Sequence, residues 1–241
     1  MAERPGEESV YQAAKASLKK WLSRTRDAVM APWREFKAQP NPSSVYSTAP
    51  LWQMEVDRIL VELTPALREG WAAADLPRDF NINDPFIQAN LALTKNLLVR
   101  IPDEVHAKIV AAILEGANRG EDNAAVANRI DDILTFTGSE NWDHRAKVIA
   151  QTELTRHRNS SAMAHALLVE RMDQRTFTKK WHTTLDGNER SEHKDANGQV
   201  QTLRNHFRVG GEPLSFPGDP KASADNICGC RCDLSFEDVG S

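Results

Sequence analysis

Residues Thr176–Thr184 read TFTKKWHTT and mark the point where the texture of the sequence changes. β-prone and polar residues alternate here with the period of a half-buried strand. A turn signal follows at Asp186–Asn188 (DGN), and Gly198–Leu203 (GQVQTL) and Glu212–Phe216 (EPLSF) are typical of further short strands. The pattern predicts a second, small domain from residue 175 onward. Its roughly 65 residues are too few for a large core, so added fastening would be useful.

The residues before this point carry helical periodicity almost throughout. Apolar residues spaced for one helix face, with Pro and Gly as start and stop signals, predict six helices. These are Glu7–Ala31, Leu51–Ala74, Pro85–Arg100, a helix that begins at Pro102 and Asp103 and is stopped by Gly116 and Gly120, Asn123–Thr135, and Trp142–Met172. The expected fold class is α+β. An extended, mostly α-helical N-terminal region is followed by a small C-terminal α/β domain with short antiparallel strands.

The first helix is amphipathic and basic, and a Pro- and Ser-rich stretch separates it from the next. Its cationic surface either contacts a partner or DNA, or is a solvated helix face; the basic residues are Lys15, Lys19, Lys20, Arg24 and Arg26. The stretch AQPNPSSVYSTAP (Ala38–Pro50) is predicted to form a linker or extended arm, because its composition does not favour a helix. The predicted domains are residues 1–38 (basic helix), 39–50 (linker), 51–174 (helical domain) and 175–241 (small β-rich domain).

Composition limits the classes of function. The 241 residues carry a formal net charge of −4, whereas chains that mainly neutralise phosphates usually have a strong positive excess. The longest apolar runs, such as Val110–Leu114, are far shorter than the ~20 residues of a membrane span, and a polar start predicts no secretion leader. Three clustered cysteines exclude a long-range disulfide framework and favour a reducing compartment such as the host cytoplasm.

All three cysteines lie within NICGCRC, Asn226–Cys232. Zinc prefers thiolate and imidazole donors, so Cys228, Cys230 and Cys232 with His193 or His182 form a candidate metal site. The CxC spacing differs from the CxxC of zinc knuckles, and in a strand it would place the three thiols in one row on one face. Buried free thiols, a zinc site and a disulfide all remain open from the residues alone.

Catalytic chemistry has weaker support. His182, Asp186, Glu192 and His193 are residue types that serve general acid and base catalysis or a metal-bound water. They are also ordinary in a polar hairpin, where Asp186 and Arg190 are expected to form an ion pair that fixes the turn. The sequence contains no GxSxG, HExxH, P-loop or dinucleotide motif. The expectation is that the protein is not an enzyme.

Five motifs in order resemble those of the phage Mu F-like head morphogenesis family. They are IAQTELTRHRNSSA (Ile149–Ala162), KKWHTTLDGNERSEH (Lys179–His193), NGQV, and FPGDPKASADNICGCRC (Phe216–Cys232), the last holding two motifs. The residues that match are Thr152, Glu153, Asn159, Trp181, Asp186, Arg190, His193, Gly198, Gln199, Pro217, Gly218, Asp219, Pro220, Cys230, Arg231 and Cys232. Two departures are Cys228-Gly229 before the terminal CRC and Gln151 where arginine is common. The resemblance covers roughly the last 90 residues.

The resemblance implies a minor head protein of a tailed bacteriophage. Such a protein would lie in the virion, in the capsid interior or portal region, after assembly in the host cytoplasm. Its expected partners are the portal protein and the major capsid protein, with packaged DNA as a further candidate and no membrane. No cofactor is implied, although zinc stays open. The family reading makes Cys230 and Cys232 architectural, pairing the last strand with the segment that carries Trp181 and His193.

Two other classes of function compete with this one. A metal-dependent enzyme acting on nucleic acid would use His182, Asp186, His193 and the thiols, and a DNA-binding module would use the basic helix. Some relatives carry the module fused to a portal protein or ahead of a toxin domain. The chain ends soon after Cys232, so no toxin domain is expected to follow.

Overall fold

The computed structural model describes Arg4 and residues 6–240 of the chain. Helices occupy most of the sequence up to residue 173, and all strands follow it. The helices are α1 (Glu7–Phe36), a 3-10 helix (Pro42–Thr48), α2 (Ala49–Glu62), α3 (Thr64–Ala73), α4 (Pro85–Leu98), α5 (Ile101–Arg119), α6 (Asn123–Leu134), α7 (Trp142–Asp173), α8 (Ser191–Ala196) and α9 (Ala224–Ile227). The strands are β1 (Thr176–His182), β2 (Val200–Thr202), β3 (Phe207–Val209), β4 (Glu212–Leu214) and β5 (Asp233–Gly240).

The predicted α+β class is confirmed: a long helical region precedes a small part with short antiparallel strands. Three helices differ from the prediction by more than two residues. The helix expected over Leu51–Ala74 is divided into α2 and α3, because Pro65 at the start of α3 has no N–H to continue α2. α1 runs on through Pro32, and Gly120 alone ends α5, in a left-handed conformation that suits glycine. Within the described residues, no helix is both long and apolar enough to cross a membrane.

The segment predicted as a linker has regular structure. In place of an extended arm, residues Pro42–Thr48 form a 3-10 helix with a buried Val45. Asn41 caps this helix, because its side-chain oxygen accepts a hydrogen bond of 3.1 Å from the Ser43 N–H. The Pro42 ring suits the first turn, where its missing N–H is not needed. Local capping therefore stabilises a short helix in a composition typical of loops.

The chain separates into two compact units. The helical unit comprises Tyr11–Val61 and Lys95–Lys147, and the motif unit comprises Glu62–Thr94 with the described parts of Met1–Val10 and Val148–Ser241. The predicted division at residues 38, 50 and 174 stays a prediction. The core of the helical unit uses the stripe expected on the first helix, with Trp21 and Trp52 in ring contact at 5.4 Å; its buried residues include Leu18, Leu22, Val29, Ile59, Ile109 and Ile130.

The motif unit contains two small antiparallel sheets. One has the order β2-β1-β5, and the other is the β3-β4 hairpin. In β1 the residues Phe177, Lys179 and Trp181 are buried in alternation with less buried neighbours, which is the period predicted for this segment. Strands β1, β2 and β4 lie where the sequence predicted them. Strand β3 was not predicted; it is a three-residue strand that pairs with β4.

Candidate functional site

The centre of the motif unit brings together one imidazole and two thiols. α8 supplies His193, and the cysteine loop, Cys228–Cys232 between α9 and β5, supplies Cys230 and Cys232. His193 Nδ1 lies 3.3 Å from Cys232 Sγ and 3.5 Å from Cys230 Sγ. The three side chains are each 2 % exposed, and their donor atoms all lie within 4.8 Å of one another. These three residues were among the candidate metal ligands, and the structure places them in one cluster.

The cysteines do not form the single row expected of a strand. Cys228 is the residue that ends α9, and β5 begins only at Asp233, after Cys232. The expectation is wrong because the loop turns at Gly229, which has a φ of +67°. Cys228 is only partly buried and stands outside the cluster, and all three thiols are free. His182, the other imidazole considered, lies at the exposed end of β1 with its Nε2 2.7 Å from Ser235 Oγ.

Two of the helical motif residues fix the cysteine loop onto α7. The Gly229 N–H donates to Thr152 Oγ1 at 2.9 Å, and the Asn159 amide donates to the Cys232 carbonyl at 3.0 Å. Between them, Thr155 Oγ1 donates to the Cys230 carbonyl at 2.5 Å. Residues 152, 155 and 159 share one helix face at spacings of three and four. Thr155 was not singled out in the sequence, although this spacing was the available signal.

A buried ion pair on α7 holds the PGDP loop, Pro217–Pro220. Arg156 donates to both oxygens of Glu153 at 2.8 and 2.7 Å, and its Nε donates to the Gly218 carbonyl at 3.0 Å. Burial raises the pKa of Glu153, while the Arg156 charge opposes that rise. Arg156 was also missed in the sequence, since an arginine in a polar helical stretch is usually exposed.

The PGDP loop is closed by its own aspartate. Asp219 accepts the Ser215 N–H at 2.8 Å and the Lys221 N–H at 3.0 Å. Gly218 has a φ of +83°, and a Cβ there would lie 3.0 Å from the Arg156 Cα. Glycine is needed at this position both for the left-handed backbone and for the close approach to α7. The motif is therefore a tight turn, and the buried Arg156 of α7 binds its backbone.

The expected ion pair between Asp186 and Arg190 is wrong. Asp186 instead pairs with Arg231, at 2.6 and 2.9 Å from its two terminal nitrogens. This bidentate contact lowers the pKa of Asp186. Arg190 donates to the Cys228 carbonyl at 2.5 Å. The two arginines thus join the segment after β1 to opposite ends of the cysteine loop, and nearness in sequence gave the wrong partner for Asp186.

Trp181 packs the imidazole from one side. Its ring is fully buried and lies edge-on to Phe207 at 5.3 Å and to His193 at 5.9 Å. Its Nε1–H donates to Thr183 Oγ1 at 3.0 Å, and that hydroxyl donates to the His193 carbonyl at 2.6 Å. The backbone carbonyl of Trp181 accepts the Gly198 N–H at 2.9 Å. These contacts fix the backbone and the ring plane of His193.

Strand β1 also joins the family motifs to the last strand, since Trp181 is opposite Leu234 of β5. Gln199, which follows Gly198, binds β3. Its side-chain amide donates to the Arg208 carbonyl and accepts the Arg208 N–H. Two residues away from Trp181, Lys179 is buried and donates to the carbonyls of Leu203 and Ser215. Its pKa is lowered to about 8 by burial.

The electrostatics of the cluster distinguish its two thiols. The hydrogen bond with Cys230, together with the contacts of Cys232 with His193 and Thr183, lowers the pKa of Cys232. The same interaction with Cys232, and burial, raise the pKa of Cys230. The Cys232 N–H also donates to Cys230 Sγ at 3.4 Å. The pair therefore favours one thiolate, which lies against an imidazole, and thiolate is the form of cysteine that binds metals and acts as a nucleophile.

The basic residues of α1 mostly have partners within the helical unit. Lys15 lies 2.7 Å from Asp143, Lys20 2.6 Å from Glu55, and Arg26 pairs with Asp131. Lys19 lies over the Phe136 ring at 4.9 Å, and Arg24 is exposed. Of the residues proposed for a DNA or partner contact, three would have to exchange a carboxylate for a phosphate. The other interpretation of this helix, one that covers a core and exposes a solvated face, describes most of this surface.

A model of the family described as "Phage Mu protein F like protein" matches residues 107–235, more than half of the chain. The match contains the five motifs and begins some 40 residues before the first of them, within α5. No curated protein and no solved structure matches the chain. The predicted resemblance is thereby confirmed and extended toward the N-terminus.

Proposed function

Since the chain belongs to the phage Mu F-like family of head morphogenesis proteins, we propose that it is a minor head protein of a tailed bacteriophage. In this proposal the protein is a structural component of the virion, located in the capsid interior or portal region. Its partners are the portal protein and the major capsid protein. It acts while the head is assembled, and its further roles are in DNA packaging or ejection.

The observation that carries this proposal is that the motif residues bind parts of the protein to one another. Most of them are buried, and several bond to backbone atoms of another motif, as Asn159 does with Cys232 and Thr152 with Gly229. A catalytic constellation needs side chains that reach a substrate. The motif residues here instead join α7, the sheet and the cysteine loop. This supports a structural role rather than an enzyme that processes nucleic acid.

Contact with packaged DNA is the part of the proposal that has the least support from α1. Lys15, Lys20 and Arg26 are each bound to a carboxylate, and the net charge of −4 gives no general attraction for phosphate. Of the two alternatives to a head protein, neither the DNA-binding module nor the enzyme has an observation that favours it. We therefore propose contacts with the portal and major capsid proteins ahead of a contact with DNA.

The proposal is tested by quantitative mass spectrometry of gradient-purified particles. The chain is scored against the major capsid protein in mature phage, in portal-deficient heads and in heads that have a portal but no DNA. We expect low-copy recovery in mature particles and in DNA-free heads, and loss from portal-deficient heads. Absence from every particle would refute the head-protein function. Equal recovery with and without the portal would refute portal association and would place the protein on the capsid surface.

A further inference from the structure

We propose that His193, Cys230 and Cys232 bind one thiophilic divalent metal ion, with zinc as the ion that this donor set selects. Two thiolates and one imidazole nitrogen form a soft, compact set of ligands. All three side chains are buried in the motif unit. The inference does not depend on the proposed head function.

The spacing of the donor atoms suits a tetrahedral ion. With Zn–S near 2.3 Å and Zn–N near 2.0 Å, the edge between a nitrogen and a sulfur ligand is about 3.6 Å. The two nitrogen-to-sulfur distances are 3.3 and 3.5 Å. Both nitrogen-to-sulfur distances therefore match a tetrahedral zinc ion to within about 0.3 Å. The two sulfurs lie within 4.8 Å of each other, against about 3.8 Å on one such ion, so the cysteine loop would close slightly on binding.

Hydrogen bonding alone leaves this cluster incompletely satisfied. Nδ1 of a neutral imidazole has one lone pair and can accept one S–H bond, yet two thiols approach it. One metal ion would use the lone pair of Nδ1 and both sulfurs together. Two thiolates would also balance the charge of a divalent ion, so the buried site would be neutral.

The supporting contacts are of the kind that orient metal ligands. The Cys232 N–H points at Cys230 Sγ at 3.4 Å, and Thr183 Oγ1 lies 3.7 Å from Cys232 Sγ. The Trp181 edge and the bond from Thr183 to the His193 carbonyl hold the imidazole in place. Trp181 is in β1 and Thr183 directly follows that strand, so the ligands are supported by the strand as well as by the loop.

The fourth coordination position faces a small cavity. The cavity has a volume of about 30 Å³ and is lined by the three ligands together with residues such as Thr183, Asn188 and Arg190. That volume holds a single water molecule. We therefore assign the fourth position to water. When the ion binds, two metal–sulfur bonds form, each remaining thiol proton leaves to solvent, and no oxidant or reductant is needed.

Metal binding would fasten the C-terminal part of the motif unit. His193 and Cys232 are 39 residues apart, and a shared ion would join α8 to the loop that precedes β5. Cys228 provides the matched control, since it is a thiol of the same loop that lies outside the cluster.

The test uses the full chain without a histidine tag. Zinc per chain is measured by plasma mass spectrometry after gel filtration, and Co²⁺ is added to the metal-free protein to record thiolate-to-cobalt charge transfer. The variants are Cys230→Ser, Cys232→Ser and, as control, Cys228→Ser. We expect about one ion per chain in the wild type and in Cys228→Ser, and an affinity reduced by at least about 100-fold in the other two variants.

Two outcomes would overturn the assignment. Folded wild-type protein that takes up neither zinc nor cobalt would show that the thiols are simply buried. Equal loss of metal in Cys228→Ser would show that the ligand set is wrong. If Cys230→Ser and Cys232→Ser do not fold, X-ray absorption of the zinc-loaded wild type decides: two sulfur and one nitrogen neighbours are expected, and an oxygen-only shell would refute the site.

Discussion

Replacing Arg156 by methionine should destabilise the motif unit more than any loss of a surface charge. Arg156 and Glu153 are 1 % and 4 % exposed, and the guanidinium donates to Glu153, Gly218 and Thr94. Removing one member of a buried pair costs about 3–5 kcal/mol, because the remaining charge has no partner. At roughly 2–4 °C per kcal/mol for a chain of this size, the melting temperature should fall by about 6–20 °C.

The dependence on pH provides an internal check. Burial raises the pKa of Glu153, so its folded state binds the proton more tightly than the unfolded state does. For such a group the free energy of unfolding falls as pH rises from the pKa of the unfolded state toward the higher pKa of the folded state. It is regained as pH falls. Without Arg156 the carboxyl is easier still to protonate. The deficit of Arg156→Met should therefore shrink when the melting temperature is measured at lower pH.

The assay is thermal and urea unfolding, with two comparison variants. Arg158→Met removes a neighbouring arginine on the same helix that is 24 % exposed and pairs with Glu69 at 3.6 Å; its cost should stay below about 1 kcal/mol. The double variant Glu153→Met with Arg156→Met should regain part of the loss, since no charge then remains buried. Equal melting temperatures for Arg156→Met and Arg158→Met would refute the importance of the buried pair.

Two further predictions concern α3 and α7. Gly70→Ala should cost more than about 2 kcal/mol, since a Cβ on Gly70 would lie 2.0 Å from the Arg158 carbonyl oxygen; a raised melting temperature, the usual result in an open helix, would contradict this close approach. Burial lowers the pKa of His157 to about 3, so only the unfolded state gains its proton as pH falls from about 6.5, and stability is lost by up to 1.4 kcal/mol per pH unit. His157→Gln should flatten the acid side of the melting-temperature profile, whereas His144→Gln, at an exposed site, should leave it unchanged.

The sequence predicted those parts of the fold that depend on a local period. α7 is long enough to show its apolar spacing, and β1 alternates over seven residues, so both were located within a residue or two. The 3-10 helix was missed because it depends on the cap at Asn41, and strand β3 depends on its pairing with β4. Helix α2 ends where Pro65 begins the next helix, a signal that was present in the sequence and was outweighed by the apolar stripe.

The site was predicted in its residue types but not in its pairings. His193, Cys230 and Cys232 were named as candidates, yet nothing in the sequence could say that Cys228 would turn away from them, because that depends on the backbone at Gly229. Thr155 and Arg156 were missed, since their importance comes from what they contact more than 60 residues later in the chain. Partner choice across such separations is decided by packing.

The interleaving of the two units along the chain sets the order in which they can fold during synthesis. The helical unit is complete once Lys147 has been made, whereas the motif unit needs β5, which pairs with β1 up to Gly240. At 5–20 residues per second, the ribosome adds that last third in roughly 5–20 s. Throughout the early part of that interval Leu67, Trp71 and Ile87 lack Ala164, against which they pack. A nascent chain thus carries an uncovered apolar surface for some seconds after the helical unit is complete.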